Sequence, residues 1–254
     1  MELLQEAGAD IEYSTLEGYT ALHLAAQEDQ VAAVKFLAEK KVNVEAVNND
    51  GLTSLMNAAS RGSIHVVQFL LEYGADIHSS DSNGGTALYW AAGNGHVDVA
   101  KLLLQKGAAV NAAKKNGFTP LIFAASNGQT EVVNLLLEHG ADTSLAMISV
   151  DATALHYAAE YGHARVVSAL LKNGAEVDAC DHKGATPLFS SAKLGHTEVV
   201  RQLLGRGAAI DKADEDGYSA LNVAAQNGHI DTVLALLEHG AAIDHVTKDG
   251  YTLR

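Results

Sequence analysis

Apolar positions along the chain fall into two alternating kinds of block, separated by polar turns. The first kind opens on Thr or Ser and closes on small residues: TALHLAA from Thr20, TSLMNAA from Thr53, TALYWAA from Thr86 and TPLIFAA from Thr119. It continues as TALHYAA from Thr153, TPLFSSA from Thr186 and SALNVAA from Ser219, and a stub follows at Thr252. The second kind carries Leu and Val at helical spacing, as at Val66, Val67, Phe69, Leu70 and Leu71. Between one second block and the next first block runs an extended stretch with a turn such as NNDG, DSNG, DHKG or DEDG. Asn, Asp and Gly there fold the chain back. The pattern predicts two short antiparallel helices and a turn, repeated.

The register is strict. Successive Thr or Ser anchors lie 33 residues apart, with one interval of 34 between Thr119 and Thr153. Gly62, Gly95, Gly128, Gly162, Gly195 and Gly228 follow the anchors in phase, and so do Gly74, Gly107, Gly140, Gly174, Gly207 and Gly240. Each anchor hydroxyl suits a helix N-cap, and Pro120 and Pro187 stand at the first helical position, where proline fits. The first helix ends at the first glycine series, and the second stops at the second series, which suits a left-handed helix end. One such unit cannot bury its apolar face alone, so the units must stack. Paired alanines on the first helix allow close approach on one side, while Leu and Val on the second hold units apart. The stack is expected to curve, with first helices and turn tips lining a concave face.

A 33-residue helix-turn-helix repeat with a T-P-L-H-x-A signature resembles the ankyrin repeat. The resemblance spans residues 1–254 without a gap. It implies an all-α solenoid with β-turn fingers, one array of seven full units plus partial units at both ends. It also implies binding of other proteins rather than chemistry.

The chain departs from its own pattern in three places. Asp29 and Lys41 replace the two glycines of the first full unit, at a cost of about 1 kcal/mol each if the left-handed backbone is kept. That end is expected to be less stable. The one insertion lies in SLAMISVDATALH, where Asp151 replaces the turn Gly and Met147, Ile148 and Val150 make a fingertip apolar. Such a tip either packs on its neighbour or meets a partner. Finally, MELLQEAGADIE matches the end of a second helix and KDGYTLR opens a further unit. Both ends lack a polar capping unit, so the chain is expected to be a piece of a longer repeat protein.

Charge narrows the partner. With 17 Lys plus Arg against 31 Asp plus Glu the net charge is -14, which repels nucleic-acid phosphates and anionic membranes. A protein or peptide partner should be neutral or basic. The single cysteine excludes an intrachain disulfide framework. With no signal-peptide pattern and no apolar run near the ~20 residues that span a bilayer, the expected location is cytoplasmic, or nuclear.

In proteins that resemble this one, the variable positions bind. The residue four after each anchor reads Leu24, Asn57, Trp90, Phe123, Tyr157, Ser190 and Val223, so three successive units carry aromatics. Tyr161 and Glu160 lie close by in sequence, and Phe118 precedes its Thr, in a stripe with Tyr19, Leu52, Tyr218 and Tyr251. The candidate partner-binding residues are Trp90, Phe118, Phe123, Met147, Ile148, Tyr157, Glu160 and Tyr161. Buried aromatics at the centre of an interface carry much of its energy.

Twelve histidines raise the question of metal. His96, His163, His196 and His229 each follow the first Gly, and the resemblance makes them structural, bonding across to the next unit's turn. His23 and His156 sit as partners of the anchor hydroxyls. One per unit is too dispersed for a metal site. Cys180, Asp181 and His182 are adjacent on a turn and form no nucleophile-base pair with oxyanion donors. Neither a cofactor nor catalysis is expected. The leading reading is a protein-recognition scaffold. The alternatives are a reader of a basic peptide tail, with Trp90, Phe123, Tyr157 and Tyr161 boxing a methylated ammonium beside Glu160, and a passive spacer or regulatory arm of a larger enzyme or channel.

Overall fold

The computed structural model describes residues 10–244 and 246–250. Residues 1–9 of the expected opening partial unit, and Tyr251 and Thr252 of the closing one, lie outside the described residues. The chain divides into two compact units, one ending at Lys115 and the other beginning at Asn116.

The first unit holds six helices: α1 (Ala21–Gln27), α2 (Val31–Glu39), α3 (Ser54–Arg61), α4 (Ile64–Tyr73), α5 (Ala87–Gly93) and α6 (Val97–Gln105). The second begins with α7 (Pro120–Ser126) and α8 (Thr130–Glu138). The strands β1 (Ala146–Met147) and β2 (Ala152–Thr153) follow. It continues with α9 (Ala154–Glu160), α10 (Ala164–Lys172), α11 (Pro187–Lys193), α12 (Thr197–Leu204), α13 (Ala220–Gln226) and α14 (Ile230–Glu238). Among the described residues, β1 and β2 form the only sheet, a two-stranded antiparallel one. The fold is therefore helical in substance.

Stacking follows from side-chain size. In the first unit, α1, α3 and α5 pack side by side, as do α2, α4 and α6. In the second unit, α7, α9, α11 and α13 form one row and α8, α10, α12 and α14 the other. Ala58, Ala59, Ala91 and Ala92 are fully buried in the first unit, and Ala124, Ala125, Ala158, Ala159 and Ala192 in the second. The second helices bury Leu37, Leu70 and Leu103, then Leu136, Leu170, Leu203 and Leu236. Each such leucine contributes about 2 kcal/mol over an exposed one.

The predicted punctuation forms. Thr20, Thr53, Thr86, Thr119, Thr186 and Ser219 each accept the backbone N–H three residues on. Pro120 and Pro187 open their helices. The first and second glycine series all have positive φ. So do the three non-glycine substitutes, Asp29 (φ 53), Lys41 (φ 61) and Asp151 (φ 51). The repeat imposes the left-handed backbone even where the residue resists it.

A ladder of backbone hydrogen bonds joins the fingertips. In the first unit Asn49 N–H donates to Glu17, Ser82 to Asp50 and Lys115 to Asn83. In the second, Ile148 donates to Asn116, His182 to Val150, Glu215 to Lys183 and Lys248 to Asp216. Regular tips donate and accept through neighbouring residues, as at Asn49 and Asp50. The inserted tip donates from Ile148 and accepts at Val150, so the extra residue is absorbed within the turn. Met147 C=O closes that turn by accepting from Val150 and Asp151.

Some of the acidic residues are structural. Glu12, Glu45, Asp178 and Asp211 each accept the N–H of a residue in the following repeat: Asn43, Asp76, Ala209 and Ala242.

Candidate functional site

In the second unit the aromatic candidates converge. Phe118, on the turn before α7, lies edge-on to Phe123 of α7 at 6.1 Å and to Tyr157 of α9 at 5.2 Å between ring centroids. All three rings are half-buried. The Tyr157 hydroxyl donates to the Met147 sulfur at 3.0 Å. Burial, then the Glu160 carboxylate and Tyr161, raise the Tyr157 pKa above its ordinary value. Ile148 stands beside the Gly117 turn; a Cβ added there would meet its Cγ1 at 2.9 Å. Yet Ile148 remains 70% exposed and Tyr161 54%. The inserted fingertip therefore packs inward through Met147 and presents Ile148 outward. Glu160 is exposed, with its backbone carbonyl taken by His196 Nε2–H at 2.8 Å.

Trp90 belongs to the first unit. Its Nε1–H donates to Asp81 Oδ2 at 3.1 Å, and its ring meets Tyr89 edge-on at 5.5 Å. Burial, with the Asp81 charge adding to it, pushes the Tyr89 pKa up to about 12. The Lys114 ammonium lies 4.7 Å from both ring centroids. The sequence pointed to Trp90 as a ring able to take a cation. Sequence reasoning missed Tyr89, Asp81 and Lys114, and the cation is the chain's own.

The anchor histidines behave as expected. Thr20 N–H donates to His23 Nδ1 at 3.1 Å, and His23 Nε2–H donates onward to Leu52 C=O at 2.9 Å. His156 does the same between Thr153 and Ala185. Both rings are buried, and burial lowers both pKa values despite backbone bonds that work the other way. Asn222 replaces this histidine beside Ser219, its Oδ1 accepting the Ser219 N–H at 3.0 Å.

The second histidine series needs a correction. His96, His163, His196 and His229 bond backward, not to the next unit's turn. Their Nε2–H groups donate to Ser60, Ser126, Glu160 and Lys193 C=O, at the first helix end of the preceding repeat. Those carbonyls have lost their helical partners, and the ring supplies one. The preceding repeat's glycine makes room: a Cβ at Gly62 would lie 2.5 Å from His96 Nδ1.

Among the described residues no three of His, Cys, Asp and Glu are placed to hold a metal ion. Asp181 Oδ1 accepts the Lys183 and Ala185 N–H groups and so holds its own turn; Cys180 is exposed. No described helix is long and apolar enough to cross a membrane.

Stacked helix-turn-helix repeats with laddered fingers, backward-bonding histidines and variable aromatics define a repeat protein of the interaction class. The ankyrin-repeat model matches residues 1–81, 55–147 and 155–249, and the chain belongs to the ankyrin-repeat family. The crystal structure of the human ASB11 ankyrin repeat domain is similar, at 28% identity and a TM-score of 0.79. The match covers 88% of this chain and 99% of that one. No curated protein matches in sequence. Domains of this family mediate protein–protein interactions and are typically non-catalytic scaffolds.

Proposed function

We propose that this chain is a non-catalytic recognition scaffold, one uninterrupted run of repeats, that binds a partner protein or peptide in a concave groove. The contact residues are Phe118, Phe123, Tyr157 and Met147, with Ile148, Glu160 and Tyr161 beside them and Trp90 as a further contact. The observation that carries this reading is the exposure of Ile148 and Tyr161 next to a half-buried cluster of three aromatic rings. Half-buried aromatics ringed by exposed apolar groups are the usual anchors of an interface. A preformed surface binds at little ordering cost. The net charge of -14 supports a neutral or basic partner rather than a nucleic acid or an anionic membrane.

The test compares the parent chain with the double variant Ile148→Ser and Tyr161→Ala, changed at two exposed positions and first checked for an intact fold by circular dichroism. Partners captured by the parent are purified and their affinities measured. The double variant should bind about tenfold or more weakly, and affinity should fall as salt is raised. Equal affinity for parent and variant would move recognition off this patch, and a flat salt response would remove the charge argument.

A further inference from the structure

Two columns of the repeat break together around Trp90. The residue before each anchor is Tyr19, Leu52, Phe118 or Tyr218 in four repeats and Ala152 or Ala185 in two, but Gly85 before Thr86. Phe118 shows what a large side chain does there: it lies against the aromatic of its own first helix. At the buried Gly85 that space is taken by the chain's own side chains instead: a Cβ built there would meet Asp81 Oδ2 at 2.5 Å and Lys114 Cε at 2.9 Å.

The second column lies five before the anchor. Thr15, Asn48, Asp81, Asp181 and Asp214 each use a side-chain oxygen to accept the N–H four residues on. Lys114 stands in that column and, like Ile148 five before Thr153, offers no side-chain acceptor. Its turn instead relies on Asn116 Oδ1, which accepts from Phe118 N–H. The lysine has given up the turn and placed its ammonium over Tyr89 and Trp90. Beneath them the buried Asp81 carboxylate fixes the indole through Nε1. A brace would need neither departure, since an aromatic at 85 would cover the indole and an Asp at 114 would hold the turn. What the pair creates is a seat for an alkylammonium, filled by a flexible and well-hydrated group that water can readily take back.

We propose that Tyr89, Trp90, Asp81 and the space over Gly85 form a binding seat for a lysine side chain of a partner protein, with Lys114 as its built-in competitor. The occupant is identified by the chain's own lysine in the same place. The residues named for the seat all belong to the first unit.

Trp90 is the only tryptophan, so its emission reports on this seat alone. The full chain is titrated with Nα-acetyl-lysine methylamide, its Nε-trimethyl form and the neutral norleucine analogue. Lys114→Asn vacates the seat while restoring the acceptor found at Asn48, and Lys114→Ala serves as a second vacated form. The lysine amide should shift Trp90 emission saturably and bind Lys114→Asn about tenfold more tightly than the parent. The norleucine analogue should not bind, and Tyr89→Leu in the Lys114→Asn background should weaken binding. If lysine and norleucine amides act alike, or neither moves the emission of either folded variant, Lys114 is only a brace and the proposal fails. Binding by the trimethyl form alone would also overturn it, because the seat would then not take an unmodified lysine.

Discussion

The two units obey one repeat, yet they break it in different ways. The first breaks it by subtraction: Gly85 lacks a side chain where four other repeats carry a large one, and the aromatic behind it is met by a lysine. The second keeps a large residue, Phe118, in that column and breaks the repeat by addition: the extra residue before Thr153 pushes Met147 and Ile148 into a fingertip. Subtraction leaves a polar, charge-receptive seat, and addition builds an apolar patch. The same scaffold thus presents two different chemistries without altering a helix.

Swapping the departures tests this contrast most severely. Phe118→Ala removes two edge-on ring contacts from the second unit and should cost about 2–3 kcal/mol by urea unfolding. Gly85→Phe gives the first unit its neighbour's residue. It must displace Lys114 and crowd Asp81, at a cost of about 2 kcal/mol and with a shift in Trp90 emission. Should Gly85→Phe be neutral and leave the emission unchanged, the space over Gly85 does not define the seat.

Each unit also carries one buried anchor histidine, His23 in the first and His156 in the second. Both pKa values lie below the ordinary 6.5. The unfolded chain therefore takes up these protons first as pH falls. The stability held by the neutral rings is complete above about pH 6.5 and is lost as pH drops from there through the folded-state values. The slope should be at most about 1.4 kcal/mol per pH unit for each ring. His23→Asn and His156→Asn copy the arrangement at Asn222 and should flatten the stability profile between about pH 7.5 and 5.5. An unchanged profile would show that these rings do not control it.

The smallest effect separates the units by backbone strain. Asp29→Gly and Lys41→Gly relieve left-handed residues in the first unit, and Asp151→Gly does so in the second. Each should stabilise by about 0.5–1 kcal/mol. A loss of stability instead would mean that the side chains hold these turns.

The helices, their caps and their ends were legible because each demands a particular residue type: a hydroxyl at Thr53, a glycine at Gly62 and a left-handed one at Gly74, a proline only at Pro120 and Pro187. The left-handed backbone kept at Lys41 was legible for the same reason, whereas that at Asp151 emerged only from the structure. The direction of His96 and its counterparts was not. A period shows which residues are equivalent, but it is blind to whether a ring reaches the repeat before it or after it. Among the candidate residues, Phe123 and Tyr157 hold equivalent positions on stacked helices, and Phe118, on the turn before α7, meets both rings. The Lys114 seat escaped notice because Gly85 reads as one more turn glycine, next to Gly84. Only comparison down the columns before each anchor marks both Gly85 and Lys114 as exceptions.

The fingertip ladder has a practical consequence. Each regular tip needs one N–H to give backward and one C=O to offer forward, from adjacent residues such as Ser82 and Asn83. At Ile148 and Val150 the same exchange is made across an intervening residue, and the next rung, from His182, is still formed. The protein has thus already spliced an extra residue into one loop while keeping its reading frame of contacts. That makes the tip between Ile148 and Val150 the natural graft point for an epitope, a reporter or a longer binding loop.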